Sequence, residues 1–312
     1  MKKTLIALAA VAATGAAFAQ SSVTLYGVAD VSLGKVSANG TLGYTDDAQL
    51  SSNGILNNGS SRLGFRGVED LGGGLKAGFN FEQGINLESG ATDAPTFQRA
   101  ANMSVMGNFG EIRLGRSLTT TFYSVAAWEL TGTANYSVVG KQFGYGAGAR
   151  YDAAIMYFSP SMGGFKVGAS TNLKGNTGAD ARYDLSLGYA AGPLATSFAY
   201  TTQKNAVQAY SLGAKYDFGG FVVAGSLNDS EFEATGVTIA KGFSLGGTAK
   251  LGAVSLTLDV ARDTEAKDTD LLVEAKYPLS KRTFVYAVVL RDGKGKQATN
   301  ETGYAVGVRH NF

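Results

Sequence analysis

The sequence predicts an all-β protein: a 16-stranded antiparallel transmembrane β-barrel with an inward-folded third outer loop. Three observations carry this. The chain opens with an export pattern. Hydrophobic residues make up 45% of it, yet beyond that pattern no apolar run reaches the roughly 18 residues that a membrane-spanning helix needs. The remainder is a succession of short segments alternating apolar with polar or glycine residues, and a closed barrel is the remaining way to satisfy every backbone group in lipid.

The export pattern comes first. Lys2 and Lys3 form a positive start, Leu5 to Ala17 a short apolar stretch, and Ala17-Phe18-Ala19 a cleavage site. Residues 1–19 are therefore expected to be a signal peptide, and residues 20–312 a single barrel domain. Without Lys2 and Lys3, basic and acidic residues balance at 25 each, so the charge does not point to nucleic acid. There are 0 cysteines, hence no disulfide framework, and 1 histidine, His310, which rules out a multi-histidine metal site. No catalytic residue, cofactor or metal site is expected.

The strands follow in order. Val23–Gly34 opens the barrel, and Ser61–Asp70 sets Leu63 and Phe65 against Arg62, Gly64 and Arg66. Leu75–Asn86 sets Leu75, Phe79 and Phe81 against Lys76, Asn80 and Glu82. Gln98–Gly107, whose alternation is weak, and Gly110–Leu118 form a hairpin. Ala149–Ser159 has Tyr151, Ala153, Ile155 and Tyr157 on one face. Then come Gly164–Leu173, Ala181–Ala190, Leu194–Thr202, Ala206–Asp217, Phe221–Asn228, Gly242–Lys250, Val254–Arg262 and Thr269–Tyr277. Thr283–Arg291, with Phe284, Tyr286, Val288 and Leu290 as its expected lipid face, and Thr302–Phe312 complete sixteen. Short glycine-rich turns suit one rim. Longer polar connections (Lys35–Ser60, Leu87–Phe97, Asp229–Lys241, Asp292–Glu301) suit the other.

One interval breaks the rhythm. Residues 119–148 contain no strand pattern, and their composition is wrong for a solvated loop: Phe122, Tyr123, Trp128, Tyr136, Phe143 and Tyr145 against Glu129 and Lys141 as the charged residues. A long connection inside a compact domain is functional or misassigned. Its apolar content predicts that it enters the barrel and narrows it. Trp128 and Tyr123 suit packing against the wall better than sugar stacking.

Four stretches resemble a known family: S-V-T-L-Y-G-V-A-D (Ser22–Asp30), S-R-L-G-F-R-G-V-E-D-L-G-G-G-L-K-A (Ser61–Ala77), F-G-E-I-R-L-G-R (Phe109–Arg116) and the terminal G-Y-A-V-G-V-R-H-N-F. With the signal, they look like the general trimeric porins of Gram-negative outer membranes, in their beta-proteobacterial branch, and the resemblance covers essentially the whole chain after residue 19. It implies a homotrimer in the outer membrane, in contact with its lipid. It also implies that the barrel-insertion machinery reads Phe312, and that Arg116 contacts a neighbouring subunit's second loop. The P-E-F-G-G motif of the enterobacterial branch is absent, so loop geometry does not carry over from there.

Strand parity places Arg62, Arg66, Lys76, Arg113, Arg150, Lys166, Arg182, Lys215, Lys250, Lys276, Arg291 and Arg309 on the lumen face. The acids there are fewer: Glu82, Glu111, Asp152, Asp184, Asp217, Asp259 and Glu274. Bases on the lipid face near the midplane would cost about 2–4 kcal/mol each. The resemblance implies a basic ladder at the narrowest point, and Arg62, Arg99 and Arg150 stand at the matching positions. Glu129, the acid of the loop, is expected to face it, with Arg66 and Glu82 near by.

The expected function is passive diffusion of ions and small hydrophilic solutes, anionic or neutral, with a mild preference for anions. The alternatives are a channel specific for a sugar or a phosphorylated anion, and a barrel-type adhesin or hydrolase. The hydrolase would have to use His310, which sits beside the short-turn rim. Most outer loops are short for an adhesin.

Overall fold

Alternation along the chain is realised as antiparallel strands. The computed structural model describes residues 22–37, 47–146, 148–296 and 299–312. The expected signal peptide, residues 1–19, lies outside them. In order the strands are β1 (Ser22–Ser37), β2 (Gln49–Ser51), β3 (Arg62–Gly72), β4 (Leu75–Gly84), β5 (Ala100–Gly107), β6 (Gly110–Leu118) and β7 (Arg150–Phe158). Next are β8 (Phe165–Asn172), β9 (Arg182–Ala191), β10 (Leu194–Gln203), β11 (Val207–Asp217) and β12 (Phe221–Glu231). The last five are β13 (Thr238–Leu251), β14 (Val254–Asp263), β15 (Asp268–Pro278), β16 (Thr283–Asp292) and β17 (Glu301–Asn311). Three short helices, α1 (Thr120–Ala126), α2 (Val138–Phe143) and α3 (Lys174–Thr177), lie between strands.

Each long strand pairs with its sequence neighbours, and β1 closes the ring. Its first half pairs with β3 (Ser22 with Val68 to Val28 with Arg62) and its second half with β17 (Val28 with Asn311 to Ser37 with Thr302). Gly27 and Phe312 exchange backbone hydrogen bonds of 3.1 Å in both directions at the seam. The three-residue β2 pairs with β1 above the end of β3 and belongs to the first outer loop. The wall thus has 16 strands, and closure leaves no unpaired edge.

The outer surface of the wall is apolar. Leu25, Phe65, Leu114, Leu185, Leu212, Leu227, Leu245, Leu258 and Val306 point outward and are exposed, which is the lipid-facing band of a membrane barrel. Glycines on the inner face make room for aromatic rings. A Cβ at Gly64 would lie 2.4 Å from the Tyr26 ring, and one at Gly213 would lie 2.0 Å from that of Trp128.

Several expected faces change. In β16 the expected lipid face points inward: Tyr286, Val288 and Leu290 are buried, while Val285, Val289 and Arg291 are outside. The run Phe284–Leu290 is apolar on both faces, so period 2 alone cannot choose between them. In β7 a register shift opposite Gly115–Ser117, with Ala153 at φ 49°, inserts one residue. That bulge turns Tyr151 into the lumen and Asp152 outward, whereas Ile155 and Tyr157 keep the expected face. The weakly patterned fourth segment is a strand, β5, with Met103 and Val105 outside and Asn102 inside.

The largest buried cluster does not lie between sheets. It lies inside the barrel, where Val36, Leu56, Trp128, Tyr136, Val138 and Val139 meet Leu272, Tyr286, Val288 and Leu290 of the wall. Leu56 shows that part of the first loop folds in as well, rather than remaining an exposed polar connection. Asp30 holds that loop, accepting from Asn57 (2.9 Å) and the Gly59 backbone (3.1 Å).

Candidate pore constriction

Residues 119–146 lie against the inner wall. The loop is closed by the Thr119 amide donating to the Ala149 carbonyl at 2.9 Å. Thr119 caps α1, its hydroxyl accepting from the Phe122 amide at 3.0 Å. The helix is then fastened to β10 through Thr121 with Thr201 (2.9 Å) and Ser124 donating to Ser197 (2.8 Å). Trp128 is 1% exposed and lies over Gly213. Farther on, Asn135 donates to the first loop at Gly54 O (3.0 Å), Tyr136 donates to Glu274, and Lys141 pairs with Asp292 at 2.9 Å.

The three arginines at the matching positions come together. Arg62 and Arg99 flank one carboxylate, Glu82, at 3.4 and 2.8 Å. Arg150 donates to the Arg99 carbonyl at 2.9 Å. With Arg309 and Lys141 they line a cavity of about 520 Å³ between the first loop, residues 132–145 and the wall. Among the described residues, Glu82 is the acid of that lining against these five cations. Arg99 precedes β5, which frees it from strand parity and lets it turn toward Glu82.

Other expected residues sit elsewhere. Glu129 does not face the arginines. Its carboxylate is 4% exposed and accepts from the Thr131 amide (3.0 Å) and hydroxyl (2.6 Å), the Thr133 amide (2.7 Å) and the Ser137 hydroxyl (2.8 Å). A short run of backbone donors lay closer than any guanidinium. Arg66 stacks over the Tyr26 ring at 4.9 Å and does not line the cavity. Arg116 points outward and pairs at 2.6 Å with Asp152 of its own chain, which the β7 bulge has brought to the same face. Phe312 packs against Gly27 at the seam. Arg309 and Lys141 were not expected at this site. Parity put Arg309 on the lumen face, but only the closed ring brings the last strand beside Arg62.

A second cavity, about 710 Å³, lies on the short-turn side of α1 and is lined by Arg113, Lys166, Glu111, Tyr123 and Phe158. The inward loop therefore separates two lumen chambers, both with more bases than acids.

A family profile described as Gram-negative porin matches residues 4–312. The chain belongs to the Gram-negative porins. This porin is 35% identical to outer membrane porin protein 32 of Delftia acidovorans over the full length of both chains. It is 33% identical to an outer membrane porin protein of Bordetella pertussis, covering 85% of this porin and 70% of that protein. The solved structure of an anion-selective porin from Comamonas acidovorans superposes with a TM-score of 0.78 at 28% identity, covering 94% of this porin and 100% of that chain. The protein is an outer-membrane channel, and its barrel and apolar outer band fit that place.

Proposed function

We propose that this porin is a passive diffusion channel for ions and small hydrophilic solutes that prefers anions, and that it catalyses no reaction. The observation carrying this reading is the lining of the 520 Å³ cavity, five cations to one carboxylate. Arginine keeps its charge at any working pH, and its planar fork matches carboxylate and phosphate. A narrow, low-dielectric passage focuses such a field, and screening over about 8 Å at physiological salt is incomplete across it. An anion would pass along Arg62, Arg99 and Arg150, with Glu82 keeping each contact weak enough to release it. The anion selectivity of the Comamonas porin agrees with this preference. The lone histidine gives no support to hydrolysis: His310 points outward and meets Thr283 at 2.8 Å.

The assembly reading is a homotrimer, with Phe312 recognised by the insertion machinery. The exposed Arg116–Asp152 pair on the outer face gives a neighbouring subunit a polar contact. The test is a planar-bilayer recording of the refolded porin across a KCl gradient. Conductance steps in threes and a reversal potential favouring chloride are expected. Replacing Arg62, Arg99 and Arg150 together by alanine should move the reversal potential toward cations, and an unchanged value would remove the arginines from the selectivity mechanism. Saturable current block by one sugar or phosphorylated solute would replace the general channel with a specific one.

A further inference from the structure

At the outer end of β14–β17 the inner face carries a row of acids. Asp263 stands opposite Asp268 and Asp292 opposite Glu301 in the strand registers, and Asp270 lies beside Asp292 with carboxylate oxygens within 4.8 Å. Asp270 and Asp292 are the residues one step beyond Leu271–Arg291, the last pair of the β15–β16 ladder. All five residues are at most 3% exposed. Like charges directly opposite one another destabilise a sheet, and burial multiplies the cost unless each charge is compensated.

Among the described residues, compensation of the four aspartates is partial. Lys141 reaches Asp292 at 2.9 Å and Lys296 reaches Asp263 at 2.8 Å. The Gly293 amide donates to Asp270 Oδ1 at 3.0 Å, and the Lys296 amide to Asp268 Oδ2 at 3.3 Å. Asp268 Oδ1 is buried and has no hydrogen-bond partner among the described residues. It points toward the β16 end of the cluster: a Cβ on Gly293, the residue after Asp292, would lie 1.9 Å from it. Asp268, Asp270 and Asp292 each offer a carboxylate oxygen, and those oxygens lie within 4.8 Å of one another. That is the spread of ligands around a cation with oxygens at about 2.4 Å.

We propose that Asp268, Asp270 and Asp292 form a calcium site. All three ligands are hard oxygens, which suits calcium or magnesium and not a softer metal. Calcium accepts several carboxylates in flexible geometry, whereas magnesium retains waters for which a buried pocket has little room. The ion would join β15 to β16. Through Lys141, which salt-bridges Asp292, it would also set the position of α2 in the inward loop.

The test uses full-length porin refolded in detergent, so that no outer-membrane lipid carries calcium along. Calcium titration of EDTA-treated protein should show about one ion bound per chain and raise the unfolding midpoint by on the order of 5 °C. The double variant Asp268→Asn with Asp270→Asn should lose both responses, while Asp217→Asn at the opposite rim should keep them. Binding and stabilisation in the wild type are decisive even if the double variant fails to refold. Equal midpoints in EDTA and in calcium overturn the site, as does full binding by the double variant. Stabilisation of the EDTA-treated wild type by acid alone, with no calcium response, also overturns it, because shared protons then hold the row together.

Discussion

Glu82 pairs with two arginines at once, and that position decides what it does. Its charge subtracts from the field an anion meets, while its ion pairs hold Arg62 and Arg99 in place. Glu82→Gln should therefore raise the anion preference in a KCl-gradient measurement and make single-channel current noisier as the arginines lose their shared partner. A shift toward cations instead would mean that arginine placement outweighs net charge. The basic side of the constriction was legible from the family resemblance, which marks Arg62, Arg99 and Arg150, and strand parity placed Arg62 on the lumen face. Its acidic side was not. Glu129 looked free because it is the acid of its loop, yet the amides of Thr131 and Thr133 sit two and four residues away and capture it. The row Asp263, Asp268, Asp270 and Asp292 was hidden for another reason. Asp263, Asp268 and Asp292 stand just outside the expected strands, and Asp270 only one residue inside one, so no shared face linked them in the sequence.

The inward loop is an element held by packing as much as by hydrogen bonds. Trp128 fills the space that Gly213 leaves, and Tyr136, Val138 and Val139 cover the inner face of β15–β16. Trp128→Ala should cost about 3–5 kcal/mol of local packing. The expected readout is a larger unitary conductance and a lower unfolding temperature. Unchanged conductance would show that the Thr121, Ser124 and Lys141 contacts suffice to hold the loop. Gly213→Val should act in the same direction by pushing the indole out. The strands themselves were legible because one face is apolar and the other is not. The facing of β16 escaped because the loop supplies an apolar surface inside the barrel, so its inward residues are as apolar as its outward ones. The β7 bulge escaped because a single inserted residue leaves no mark in composition.

For the whole molecule, selectivity should depend on salt. Charges across the cavity interact over a screening distance of about 10 Å at 0.1 M salt and about 3 Å at 1 M. The chloride preference measured from reversal potentials should therefore shrink as mean ionic strength rises at a fixed gradient. A preference independent of salt would point to steric selection. The inward loop has a last consequence. It is tied to the wall at β10, β15 and β16 and to the first loop, and its two ends are tied to each other. A passage built this way is a resistor rather than a valve. Its throughput follows the gradient imposed on it, and a cell that wanted less traffic would have to make fewer copies.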